Sequence, residues 1–103
     1  MSIANGSVYQ VVLSGQLRDK LKDLHRRAKD QGLGTRVLSA VKRIVAFLRR
    51  EPLRFGEPRF TLHNLNLEER VGAVEPLVVL YAVHQERRIV FVRDFLLLQG
   101  PDV

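Results

Sequence analysis

The stretch RVGAVEPLVVLYAVHQERRIVFVRDFLLL, residues 70–98, decides the fold. It is made of β-branched and aromatic runs parted by two short breaks, Glu75-Pro76 and His84 to Arg88, both of hairpin length. Strands are therefore expected over Leu67 to Val74, Leu77 to Val83 and Ile89 to Leu97, joined antiparallel. The middle run, LVVLYAV, is apolar throughout, as a central strand covered on both sides is. In the last run, strict alternation places Ile89, Phe91, Arg93 and Phe95 on one face and Val90, Val92, Asp94 and Leu96 on the other. Arg93 on such a strand needs either solvent or an internal carboxylate, for which Glu69 is the candidate.

Working outward toward the N-terminus, residues 52–66 hold mixed polarity and two prolines. They read as a loop with one irregular strand around Arg59 to Leu62. Before them lie two helical patterns. Leu17, Leu21, Leu24 and Ala28 recur at spacings of four, three and four, one stripe of a helix that Ser14 caps. Val37, Leu38, Val41, Ile44, Val45 and Leu48 repeat the pattern in a second helix, capped by Thr35 and stopped by Pro52. Gly32 and Gly34 leave room only for a tight reversal between them, so the helices form an antiparallel hairpin whose stripes share one partner. Val8 to Leu13, VYQVVL, precedes them as a first strand. The expected fold class is α+β, ordered β-α-α-β-β-β, with an antiparallel sheet packed against a two-helix hairpin. Leu17, Leu21, Val41, Ile44 and Val79 are the expected core.

The 103 residues suit one domain, 1–103, with an ordered core of about 8–98. A chain of this length hides roughly two thirds of its extended surface, enough to fold without metal or disulfide. There is no cysteine, which removes disulfide frameworks, thiol chemistry and Cys-ligated zinc, and agrees with a cytoplasmic location. The first fourteen residues have no basic start ahead of an apolar stretch, and no apolar run approaches the ~20 residues that span a bilayer. No membrane partner is expected.

Charge is more informative than size. Seventeen Lys and Arg stand against eleven Asp and Glu. From Gly15 to Arg54 twelve are basic and four acidic, an excess of eight positive charges, whereas the remainder is slightly acidic. The helical half thus attracts phosphates or an acidic protein, although a solvated helical face accounts for the same pattern.

Several chemistries are excluded. No Walker loop is present, and Gly32-Leu33-Gly34 lacks the rest of a dinucleotide fingerprint. No serine stands in a nucleophile elbow. His25, His63 and His84 do not pair at metal-ligand spacing; His25 reads as a solvent-facing helix residue and His84 as a turn residue. Glu68 and Glu69, adjacent on a strand, face opposite ways and so do not form a carboxylate dyad. No cofactor is implied. What remains is arginine, whose planar fork suits phosphate. Arg59, Arg70 and Arg93, with His63, are the candidate groups for phosphate stabilisation or proton transfer. Tyr81, inside the apolar strand, needs a partner for its hydroxyl.

Three pieces of the chain resemble the RelE/ParE toxin superfamily of bacterial toxin-antitoxin systems: the opening VYQVVLSGQLRDKLKDL, the hairpin end FLRREPLRFGEP and the tail quoted above. The resemblance spans Val8 to Leu98 and implies the strand, helix, helix, antiparallel-strand order. It also implies a protein partner, a cognate antitoxin with an acidic or amphipathic segment. Members similar to RelE cleave mRNA on the ribosome, without metal, by attack of a 2′-hydroxyl on the adjacent phosphate; members similar to ParE trap DNA gyrase. Tyr81 matches the family's central-strand Tyr, and Arg93 falls near an arginine of its last strand. Leu96, Leu97 and Leu98 stand where the nuclease branch carries basic residues. The resemblance therefore leaves three readings: an endoribonuclease toxin, a non-enzymatic gyrase inhibitor, and a degenerate member that binds only antitoxin or nucleic acid.

Overall fold

The computed structural model describes residues 8–98. Among them β1 is Gln10–Val12, α1 Gly15–Asp30, α2 Gly34–Arg50, α3 Pro52–Phe55, β2 Glu57–Leu62, β3 Leu67–Val74, β4 Leu77–His84 and β5 Ile89–Leu97. The fold is α+β, with a five-stranded mixed sheet ordered β1-β5-β4-β3-β2. β1 runs parallel to β5, and the other three pairings are antiparallel. No helix among the described residues is long and apolar enough to cross a membrane.

The helical hairpin forms as its stripes predict. Ser14 caps α1 by accepting a hydrogen bond from the Leu17 amide at 3.1 Å. Leu17, Leu24 and Ala28 of α1 and Val37, Ala40, Ile44 and Leu48 of α2 are buried. They pack on Leu77, Val79, Tyr81 and Val83 of β4 and Val90, Val92 and Phe95 of β5. Leu21 and Val41 depart from expectation, being only half-buried at the hairpin's outer seam.

Four boundaries also differ. β1 shortens to three residues because Tyr9 donates its amide to the Arg49 carbonyl of α2, 2.7 Å away, instead of entering the sheet. α2 starts at Gly34, with Leu33 rather than Thr35 as cap and no side-chain cap bond. The backbone at Gly34 lies so close to Lys29 that a Cβ there would come within 2.5 Å of its Cγ. Pro52 does more than end α2: it opens α3 from the first-turn position, where its missing N–H costs nothing. The irregular strand expected around Arg59 to Leu62 forms and extends back to Glu57 as a six-residue edge strand, followed by a 3-10 turn, His63–Leu65, closed by left-handed Asn66.

β4 is central, as its composition predicts, but only one of its faces is sealed by helices. Leu77, Val79, Tyr81 and Val83 are buried in the core, whereas Val78 and Leu80 on the reverse are half-exposed. The alternation expected for β5 also fails midway. Tyr81 pairs with Val92 and Leu80 with Asp94, so Arg93 is an extra residue, a β-bulge. The bulge resets the parity, placing Val90, Val92 and Phe95 on the core face together and leaving Phe91, Arg93 and Leu96 outside.

Candidate nucleic-acid interface

The face of the sheet turned away from the helices carries the residues with chemistry to offer. Phe60, Phe91 and Leu96 are exposed on it, and Glu69, Val71, Leu80 and Ala82 make its centre. Glu69 pairs with Phe60 on one side and Ala82 on the other, and Ala82 pairs in turn with Phe91. One rung thus crosses four strands with a carboxylate near its middle and an aromatic ring at each end.

Glu69 is only 7% exposed, and two arginines converge on it. Arg93 donates to Oε2 at 2.8 Å, and Arg59 lies 3.4 Å from Oε1. Both arginines are bulge residues, each at a register shift of its strand. A bulge re-aims a side chain, and here the two bulges turn guanidiniums from the outer strands toward the same carboxylate. Arg59 also lies over the ring of Phe60, 5.7 Å from its centroid. The side chains of Arg59 and Arg93 remain about half exposed while that of Glu69 is covered. Two cations share one anion, so the cluster carries net positive charge with free N–H groups facing solvent. Such an arrangement holds two planar forks ready for a phosphate.

His84 borders this face. It pairs with Ile89 at the end of β4, and its Nδ1 accepts the amide of Arg87 at 3.2 Å. That bond leaves Nε2 to carry the proton of the neutral ring. By alternation His84 shares the face of Ala82, so the turn residue of the sequence reading is also a proton-bearing group at the margin of the sheet. The sequence signal was available: His84 is an even step from Ala82, but the strand end had to be known to use it.

Arg70 lies on the opposite, helix-packed face, away from the other two arginines. It is 6% exposed and donates to the carbonyls of Leu53 at 2.8 Å and Gly56 at 2.6 Å, and to Glu68 at 3.0 Å. Its Nε is the one buried side-chain nitrogen or oxygen without a partner among the described residues. Tyr81 stands beside it, donating to the Pro52 carbonyl at 2.7 Å and accepting the Gly56 amide at 3.1 Å. Burial pushes the Tyr81 hydroxyl pKa above the usual 10.0, partly offset by Arg70. The pair anchors α3 to the sheet. Gly56 and Gly72 make this possible: a Cβ on Gly56 would strike the Val71 carbonyl, and one on Gly72 the ring of Phe55. Phe55 in turn stacks on Phe47 at 4.8 Å and on Tyr81 at 6.0 Å between centroids. His63 is exposed in the 3-10 turn after β2.

A second surface runs along the helical hairpin, where Leu21, Val37, Leu38 and Val41 floor an apolar groove of about 310 Å³. Arg18, Lys22 and His25 rim it, so His25 borders a groove rather than open solvent. No family model, curated protein or solved structure matches this chain.

Proposed function

We propose that the chain is a toxin-like protein of the RelE/ParE type that takes RNA on its uncovered sheet face and is neutralised by an acidic, amphipathic peptide. The observation that carries the reading is the convergence of Arg59 and Arg93 on Glu69 at the centre of a face flanked by Phe60 and Phe91. Arginine forks bind phosphate, and exposed rings give unpaired bases a surface to stack on, which suits single-stranded RNA. The strand, helix, helix, antiparallel-strand order and the resemblance of residues 8–98 support the family.

Cleavage of the RelE kind needs a group to take the 2′-hydroxyl proton and one to protonate the leaving 5′-oxygen. Arg59 and Arg93 supply charge stabilisation of the phosphorane. His84, and His63 on the turn after β2, are the imidazoles available for proton transfer. Arg70 is committed to backbone carbonyls and supports the fold around α3. The hairpin groove suits the antitoxin, because its apolar floor and wholly basic rim match an amphipathic helix with an acidic border.

A second reading, RNA or antitoxin binding without cleavage, draws on the same geometry: the side chains hydrogen-bonded at the cluster are two arginines and a carboxylate they neutralise, with no imidazole among them. One experiment separates the readings. Purified protein is added to ribosomes programmed with mRNA, and cut sites are mapped by primer extension, alongside binding of a labelled 12-mer uridylate strand. Cuts that vanish in Arg93→Ala and His84→Gln support the nuclease; binding without cuts supports the second reading. Neither cuts nor binding, with DNA gyrase inhibited instead, would overturn the RNA assignment in favour of a ParE-like inhibitor.

A further inference from the structure

The sheet face does not account for a second group of arginines that no carboxylate neutralises among the described residues. At the opposite edge of the sheet, where β1 lies along β5, a cleft of about 570 Å³ opens between α2 and the β4–β5 turn. Arg49 enters it from the last turn of α2, and Arg87 and Arg88 from the hairpin turn. None of the three joins any ion pair among the described residues, although seven such pairs occur elsewhere. The one acid of that turn, Glu86, accepts a hydrogen bond from the side chain of Asn66 at 3.0 Å and does not line the cleft.

The cleft is also built rather than incidental. Arg88 has a left-handed backbone, φ 56°, an unusual conformation for a residue with a Cβ. It is held there by the β1 amide of Gln10, which donates to the Arg88 carbonyl at 2.9 Å. Its guanidinium stands 5.8 Å over the ring of Tyr9. On the other wall, Tyr9 donates its amide to the carbonyl of Arg49. Tyr9 therefore ties together the two elements that bring the arginines, and its ring with Val11 and Val45 gives the cleft an apolar side.

We propose that this cleft is a nucleotide-phosphate site, in which Arg49, Arg87 and Arg88 bind the phosphate and the apolar wall beside Tyr9 receives the base or sugar. Three guanidiniums with no internal carboxylate match a phosphate's charge and its several acceptor oxygens, whereas an acidic side chain offers fewer. Their fixed backbones reduce the ordering lost on binding. The ligand is either a unit of an RNA strand or a free nucleotide. The site stands apart from Arg59 and Arg93, so it does not depend on the sheet-face reading.

The test titrates the full chain with a fluorescein-labelled 12-mer uridylate strand and, separately, with UMP, following amide chemical shifts. Binding at the cleft shifts Tyr9, Gln10 and Arg88. The triple variant Arg49→Gln, Arg87→Gln, Arg88→Asn is compared with a charge-matched triple on α1, Arg26→Gln, Arg27→Gln, Lys29→Gln. Loss of tenfold or more in the first and under threefold in the second is expected, with a flatter salt dependence in the first. Shifts with the 12-mer alone identify a strand site; shifts also with UMP identify a free-nucleotide site. Equal losses in both triples, or no shift at Tyr9 and Arg88 in the unmutated chain with either probe, would overturn the proposal. The shift mapping decides it even where a variant fails to fold. Binding lost in Arg59→Ala but kept in the cleft triple leaves the sheet-face reading standing and removes this one.

Discussion

Arg93 of β5 reaches Glu69 of β3 at 2.8 Å, across the intervening strand β4. Ala82, the β4 partner of Glu69, is 1% exposed on the face turned away from the described helices. A structural pairing and an open, phosphate-ready arginine are thus one arrangement, since Glu69 orients the guanidinium while half of it stays in solvent.

Each arginine alone contributes little stability, and both together contribute more. Arg59 and Arg93 are about half exposed, so removing either leaves Glu69 one cation and costs ~1 kcal/mol or less. The double variant strands a covered carboxylate and is expected to cost ~3 kcal/mol, more than the sum of the two. Urea titration of the two singles and the double measures this coupling. RNA affinity falls in both singles. Additive stability losses would mean that the two arginines do not share Glu69.

Arg70 and Tyr81 are expected to behave oppositely. Tyr81→Phe leaves the Pro52 carbonyl and the Gly56 amide without their partner, and Arg70→Met frees two further carbonyls. Losses of ~1–3 kcal/mol are expected in each. Gly72→Ala is also destabilising, because its Cβ forces the Phe55 ring aside. RNA binding per folded molecule stays unchanged in all three. An Arg70→Met protein that melts like the parent but no longer binds would reassign Arg70 to the interface.

The raised Tyr81 pKa sets an alkaline limit. Its hydroxyl is held protonated by burial above the unfolded value near 10.0, so the folded state binds the proton more tightly than the unfolded one. The contribution is fully present below that value and is lost as pH rises through the folded pKa. Stability is therefore expected to fall above about pH 10 more steeply in the parent than in Tyr81→Phe. Thermal melts across that range compare the slopes.

Most of the architecture was legible because it depends on local periodicity. The hairpin stripes, the Ser14 cap and the three strands after Leu67 follow from spacing alone. The bulges at Arg59 and Arg93 did not, since they depend on how neighbouring strands register, and no local signal marks them. Consequently four candidates of similar sequence texture separated in space: Arg59 and Arg93 met on Glu69, Arg70 was buried on the other face, and His63 stayed on a turn. The irregular strand expected around Arg59 to Leu62 does form, but it begins two residues earlier, at Glu57. Pro58 lies within it, and pairing with β3 makes it a strand at the edge of the sheet, where a proline is tolerated.

The helix stripes, finally, divide into core and groove, and the division is testable. Leu17, Ile44 and Val79 are buried against the sheet or the other helix, so truncation to Ala is expected to cost ~2–4 kcal/mol at the two larger residues and somewhat less at the valine. Leu21 and Val41 belong to the same stripes but line the hairpin groove with exposed Leu38, where the apolar surface is only half covered. Truncation there removes less buried area and should cost ~1 kcal/mol. The same two residues should matter more once a partner is bound. An acidic amphipathic peptide seated in the groove buries Leu21, Leu38 and Val41 and meets Arg18 and Lys22 at the rim, so its affinity falls with salt without vanishing. Fluorescence anisotropy with a synthetic acidic helix, at low and high salt, reads this. Leu21→Ala and Val41→Ala are expected to weaken it severalfold while melting close to the parent. If instead they destabilise the free protein as much as Leu17→Ala and leave peptide affinity untouched, the groove is simply the outer margin of the core.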